Sequence, residues 1–187
     1  MYKNKKITLF AFASKDLSRS AQRLKKQAET TNYYDEIKIL SPKNFNDKMN
    51  KKYDLIKNLS KKRGYGYWFW KPAFLINLIE ELNIGDIIHY VDVGCHLQNK
   101  NSRFYEYLDI LIESKNFILP FRYHLEKTDF PKDIIFSKRE EFKYTKADLF
   151  DHFNFLKNEE VTKSSQFWAG SFFIKKKDET INFLNEW

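Results

Sequence analysis

Arg63–His96, RGYGYWFWKPAFLINLIEELNIGDIIHYVDVGCH, carries an aromatic loop, a helix, a buried strand and an acidic turn in one unbroken run. Pro72 suits the first residue of a helix, where its missing N–H is no loss, and Gly85 closes that helix. Phe74, Leu75, Leu78, Ile79 and Leu82 recur at helical spacing as its apolar stripe. Asp86–Asp92 follows as a strand. Alternation puts Ile88, Tyr90 and Asp92 on one face and Ile87, His89 and Val91 on the other. Asp92 and His89 therefore do not form a pair, and His89 reads as a packed core side chain. Asp92 sits where the strand ends and Val93-Gly94 turns the chain.

Upstream, Ile7–Ala13 is a continuous apolar run, the pattern of a strand buried on both faces. Ser14 or Asp16 can cap the helix that follows, whose stripe is Leu17, Ala21, Leu24 and Ala28. Arg19, Arg23, Lys25 and Lys26 fall off that stripe and read as solvated. Ile37–Leu40 is a second strand, and Asn46–Leu59 a helix with Met49, Tyr53, Ile56 and Leu59 inward. This β-α-β start gives an α/β class with a central, mostly parallel sheet flanked by helices. Downstream, Arg103–Ile112 reads as helix, and Asn116–Phe121 and Asp133–Phe136 as strands. Thr145–Asp148 resembles a capping box ahead of a Leu149, Phe153, Leu156 stripe. Phe167–Ile174 is a last buried strand, with a helix from Lys177. No repeat or linker divides residues 1–187, so they read as one domain. The pattern stops at Trp187 in mid-helix, as expected of a chain truncated at its C-terminus.

Composition narrows the function classes. The chain has 187 residues, 42% of them hydrophobic and 18% aromatic, enough for a sizeable core. Its formal net charge of +8 suits an anionic partner, or reflects lysines on solvated faces. The single cysteine, Cys95, excludes an internal disulfide and fits a reducing cytosol. The apolar run near the N-terminus is too short for a signal peptide or a membrane span. There is no P-loop, no GxGxxG after a strand, no GxSxG and no zinc-type spacing. Cys95-His96 adjacency gives no catalytic geometry. The RNP pattern is absent and the lysines follow no face, so nucleic acid is not an expected partner.

Two features remain. Ligands of open α/β sheets bind outside the carboxyl ends of strands. A carboxylate at Asp92 there suits Mg²⁺ or Mn²⁺ bridging to phosphate oxygens, or caps its own turn. In Gly64–Trp70 the aromatic faces can stack on a base or sugar, or fill the core. Arg63 and Lys71 flank them as candidates to meet phosphate.

The chain resembles a bacterial family of glycosyltransferases found among capsule and lipopolysaccharide genes. The likeness rests on Gly64-Tyr-Gly-Tyr-Trp-Phe-Trp-Lys-Pro72, Gly85-Asp86 through Tyr90-Val-Asp92-Val-Gly94-Cys95, Glu141-Phe-Lys-Tyr144-Thr145-Lys146 and Gln166-Phe-Trp-Ala-Gly170. It runs from about Ile7 to Trp187. It implies a Rossmann-like nucleotide-diphospho-sugar transferase fold of the A type, with a nucleotide-diphosphate sugar as donor. The acceptor it implies is a cell-envelope glycan or lipid-linked glycan, met in the cytoplasm at the anionic inner membrane face. By that resemblance Asp92 is the ligand of a Mn²⁺ or Mg²⁺ ion, although Asp-Val-Gly94 supplies one carboxylate where a full D-x-D motif of the A-type fold has two. Ala13 and Ser14 face the base, Arg63 and Lys71 the phosphates, and Gln166 and Gly170 the donor sugar or acceptor. The family continues past this chain's end with a His/Asp-containing segment. An inverting enzyme needs a carboxylate base, for which Glu140, Glu141 and Asp148 are candidates. The alternative is a non-catalytic module that binds nucleotide or glycan on a degenerate transferase fold.

Overall fold

A computed structural model of the chain describes residues 1–59, 63–99, 101–123 and 139–187. It divides into two compact units: residues 1–119 with 170–187, and residues 120–169. The expected strand at Asp133–Phe136 lies outside the described residues.

The fold is mixed α/β: a five-stranded sheet, in the order β2-β1-β3-β5-β4, flanked by helices. β1 (Ile7–Phe12) pairs in parallel with β2 (Glu36–Leu40) on one side and with β3 (Ile87–Val91) on the other. β5 (Phe167–Lys175) runs antiparallel to β3, so the sheet is mixed. A continuous apolar run reads alike in either direction, so the run at Phe167–Ile174 marks a strand without its sense. β4 spans Ile118–Arg122.

Helices cover both faces of the sheet. α1 (Ser18–Thr31) buries Leu24 and Ala28 with Leu9, Ala11, Val91 and Val93 on one face. α5 (Asn101–Glu113) brings Phe104 against His89 and Phe173 on that side. The opposite face packs α2 (Asp47–Leu59), α4 (Trp70–Glu80) and α8 (Asp178–Glu186) against Phe10, Ile88, Tyr90, Phe172 and Ile174. The alternation read from β3 is realised: Ile88 and Tyr90 belong to one core, Val91 to the other. No helix among the described residues is long and apolar enough to cross a membrane.

Local expectations shift at several ends. Ser14 makes no cap bond; its hydroxyl donates to Asp16, and a 3-10 turn at Lys15–Leu17 precedes α1. That turn leaves Leu17 outside the helix and exposed. α4 begins at Trp70, so Pro72 is its third residue, still among the first N–H groups that have no helical acceptor. The helix ends at Glu80; Gly85, at φ +91°, instead leads into β3 and donates its N–H to the Lys176 carbonyl.

The lysines at the end of β5 and just beyond it are held by backbone carbonyls. Lys175 is buried, and its ammonium donates to the carbonyls of Leu111, Ile112 and Ser114 at the end of α5. Lys176 does the same for Glu80 and Leu82 after α4, and Lys177 for Lys115. Cations here complement the carbonyl ends of the helix dipoles.

Residues 120–169 form the second unit. α6 (Ala147–His152) has no side-chain cap: its N-cap is Lys146, one residue past Thr145, whose hydroxyl donates to Glu141 at 2.8 Å. Its inward residue is Phe150, while Leu149, Phe153 and Leu156 are exposed. The helix stops at His152 and Asn154 takes φ +58°, so the expected stripe never forms. α7 (Glu159–Thr162) is capped by Asn158.

His89 is buried, stacked on Phe173 at 3.9 Å, with Nδ1 bonded to the Tyr34 hydroxyl at 2.8 Å and Nε2 to Ser171 at 3.0 Å. Burial pushes its pKa down to about 3, against about 6.5 unfolded. Between those values the unfolded chain binds the extra proton, so stability falls as pH drops through that window and is intact above it. Urea unfolding from pH 7 to 4 should therefore show a slope that His89→Gln lowers by up to ~1.4 kcal/mol per pH unit. An unchanged slope in the variant contradicts a neutral, buried His89.

Candidate functional site

β1 is flanked by parallel neighbours reached through crossovers on opposite faces: α1 leads to β2, and α2 to α4 lead to β3. The connections therefore diverge beyond the carboxyl ends of β1 and β3, where such sheets leave a crevice. A cleft of about 770 Å³ opens there, lined by Phe12 at the end of β1, Ser14 and Asp16 after it, and Asp92, Val93 and Gly94 after β3. Tyr53, Tyr65, Trp68 and Trp70 complete its aromatic wall.

That wall depends on an unusual backbone. Gly64 to Trp68 all take positive φ: 58°, 52°, 88°, 53° and 59°. α3 (Gly64–Tyr67) is thus a single left-handed turn, closed by Tyr67 N–H to the Arg63 carbonyl at 2.7 Å and Trp68 N–H to Gly64 at 3.1 Å. Left-handed geometry costs each non-glycine residue about 1–2 kcal/mol, and Tyr65, Tyr67 and Trp68 all bear it. Packing offsets the cost. Tyr65 stacks on Tyr53 at 4.6 Å and leans on Phe12 and Phe45. The Trp70 indole donates to the Gly64 carbonyl and its ring stacks on Phe12 at 4.1 Å. Trp70 and Phe69 belong to the core, whereas Trp68 and Tyr67 are exposed. The aromatic run therefore divides between core and cleft.

Asp92 projects from the same strand face as Tyr90, whose phenol donates to its Oδ1. Lys71, buried on the first turn of α4, places Nζ 3.8 Å from that same oxygen and 4.3 Å from the centre of the Tyr90 ring. Burial pushes the Lys71 pKa down, and Asp92 opposes that shift. Burial and the Asp92 charge both push the Tyr90 phenol upward. Sequence placed Lys71 in a loop free to meet phosphate; the earlier start of α4 turns it inward instead. The Asp92 backbone N–H donates to the Gly170 carbonyl at 2.8 Å.

The remaining predicted residues separate. Ser14 and Gly94 line the cleft, but Ala13 is buried in the sheet core beside it. Arg63 is exposed, its guanidinium 5.8 Å from the Trp68 ring. Gln166 lies in the second unit, bonded through its backbone to Arg139 and Tyr123. Glu140, Glu141 and Asp148 belong to that unit too, and Glu141 also accepts from the Phe167 N–H at 3.2 Å. The acidic residue that the cleft does contain besides Asp92 is Asp16, which the sequence reading took for a cap. Arg23 was taken for a solvated residue; it donates to the Val93 carbonyl at 2.7 Å and the Cys95 carbonyl at 3.1 Å, fixing the turn that carries Asp92. Cys95 and His96 engage different partners, Gly170 and Gln27.

Among the described residues no three His, Cys, Asp or Glu side chains stand together as a metal cage. At Asp92 the donor set fits a divalent cation poorly: a single strand-end carboxylate, with Oδ1 already facing a phenol and an ammonium. No known family, curated protein or solved structure matches the chain.

Gly64 tests the left-handed turn. A Cβ there would meet the Trp68 ring at 2.4 Å, whereas one at Gly94 meets nothing within 4 Å. Gly64→Ala should cost roughly 1–3 kcal/mol and lower the melting temperature by several degrees. Gly94→Ala should leave it unchanged. Equal melting curves for the two variants contradict the turn's role.

Proposed function

We propose that the chain is a glycosyltransferase of the nucleotide-diphospho-sugar type, with a Rossmann-like A-type fold, passing a sugar to a capsule or lipopolysaccharide acceptor. The observation that carries this reading is the position of the cleft, at the switch point of a parallel β2-β1-β3 set. Its volume of about 770 Å³ falls within the roughly 300–1,000 Å³ usual for small-molecule sites. Its chemistry supports the same reading. Flat aromatic faces stack on a base or on the C–H face of a sugar, and Ser14, Asp16 and Asp92 accept hydrogen bonds from hydroxyl or amino groups. The resemblance of Gly64–Pro72 and Gly85–Cys95 to envelope-glycan transferases supports it independently.

In this reading the nucleoside and sugar lie across the aromatic wall, with ring hydroxyls on Asp92 and Ser14. As the glycosidic C–O bond breaks, negative charge grows on the departing diphosphate. Preorganised cations stabilise that charge best in a site already shaped for it; Arg63, exposed beside the Trp68 ring, is a cation at the edge of the cleft wall. Asp16 is the carboxylate in the cleft positioned to take a proton from an acceptor hydroxyl. The acceptor is met at the cytoplasmic face of an anionic membrane, towards which the +8 charge steers the protein.

Thermal unfolding with a panel of nucleoside diphosphates and their sugars tests this directly. A ligand held at a hundred times its Kd adds about 2.7 kcal/mol, a shift of several degrees, and Asp92→Ala should reduce it at least tenfold in affinity. No shift with any donor overturns the reading. A shift without hydrolysis or transfer of the bound sugar supports the non-catalytic binding module, which the charge compensation of Asp92 by Lys71 favours.

A further inference from the structure

We propose that Lys71 holds the place of a divalent cation at Asp92, so that the cleft takes its ligand without metal. The inference deepens the nucleotide reading and uses it only to choose the ligand in one arm of the test. Three groups carry it. Asp92 is the single acidic residue at the end of β3, because Val93 and Gly94 follow it. Its Oδ1 receives the Tyr90 hydroxyl and lies 3.8 Å from Lys71 Nζ. Lys71 is only 4% exposed, and its ammonium sits 4.3 Å from the centre of the fully buried Tyr90 ring.

These contacts form one unit. Residues two apart on a strand share a face, so Tyr90 and Asp92 present a ring and a carboxylate side by side, and α4 delivers a cation between them. A buried ammonium needs a compensating charge, and removing that partner is strongly unfavourable. A metal ion at Asp92 would compete for Lys71's counter-charge and sit close to a like charge in a partly desolvated site. The other acidic residue of the cleft, Asp16, is on the far strand connection and accepts from Ser14. The positive charge that balances Asp92 here is thus built into the helix rather than imported.

Mn²⁺ alone, titrated into the protein and followed by electron paramagnetic resonance, tests the inference without any nucleotide. Wild type should bind weaker than about 1 mM at Asp92, and Lys71→Met should bind at least about tenfold tighter, a gain that Asp92→Asn on that background removes. Micromolar binding by wild type that Asp92→Asn abolishes overturns the proposal. Should Lys71→Met not fold, wild type decides: uridine diphosphate in excess chelator and in Mn²⁺ should give equal shifts in melting temperature. A shift that appears only with Mn²⁺ overturns the proposal. Absence of any shift in both conditions counts against the nucleotide reading instead, and the Mn²⁺ titration still decides this one.

Discussion

The pairing of β1 with parallel neighbours on both sides is the constraint from which the remaining architecture follows. Parallel strands cannot be joined by a tight hairpin, so each connection must cross over through helices. The connection to β2 takes one face and the connection to β3 takes the other. The chain is thereby forced apart beyond Phe12 and Val91, and the cleft is the space so left. Burial of β1 on both faces stabilises the arrangement: every residue from Ile7 to Phe12 is buried. The cleft is thus a consequence of a strand buried on both faces.

On this frame the site is assembled from short segments whose conformations are set by packing. The left-handed turn at Gly64–Trp68 is tolerable because Tyr65 within it packs on Tyr53 and Phe12 and Trp70 just after it is buried against Phe12. Trp68 is then left at the surface as an exposed face over the cleft. Arg23 holds the opposing turn through two carbonyls, a bond between a helix on one sheet face and the strand end that bears Asp92. Both walls are fixed before any ligand arrives, and preorganisation of that kind lowers the entropic cost of binding.

Much of this was legible in the residues. The apolar runs at Ile7–Phe12 and Ile87–Val91 have the composition of strands buried on both faces, and simple alternation correctly separates Tyr90 and Asp92 from His89. What the sequence withheld depends on contacts distant along the chain. Lys71 reads as an exposed loop residue until α4 is known to start at Trp70, which turns it toward a ring and a carboxylate some twenty residues on. The roles of Lys175 to Lys177 are not legible locally, because the helix ends that they cap arrive from elsewhere in the chain. Two glycines in GYGYW signal backbone freedom, but not that Tyr65, Tyr67 and Trp68 would share it. The Thr145 hydroxyl is taken by Glu141, four residues before it, and α6 is entered one residue later at Lys146, a competition that local pattern does not weigh.

The central claim is that the aromatic cleft at the ends of β1 and β3 binds the sugar nucleotide. A crystal structure of the protein with a nucleoside-diphosphate sugar tests it most directly. The account predicts ligand density in that cleft, with a ring stacked on Trp68 or Tyr65 and hydroxyls on Ser14 or Asp92. An ordered sugar nucleotide bound elsewhere on the protein, with the cleft left empty, would contradict it.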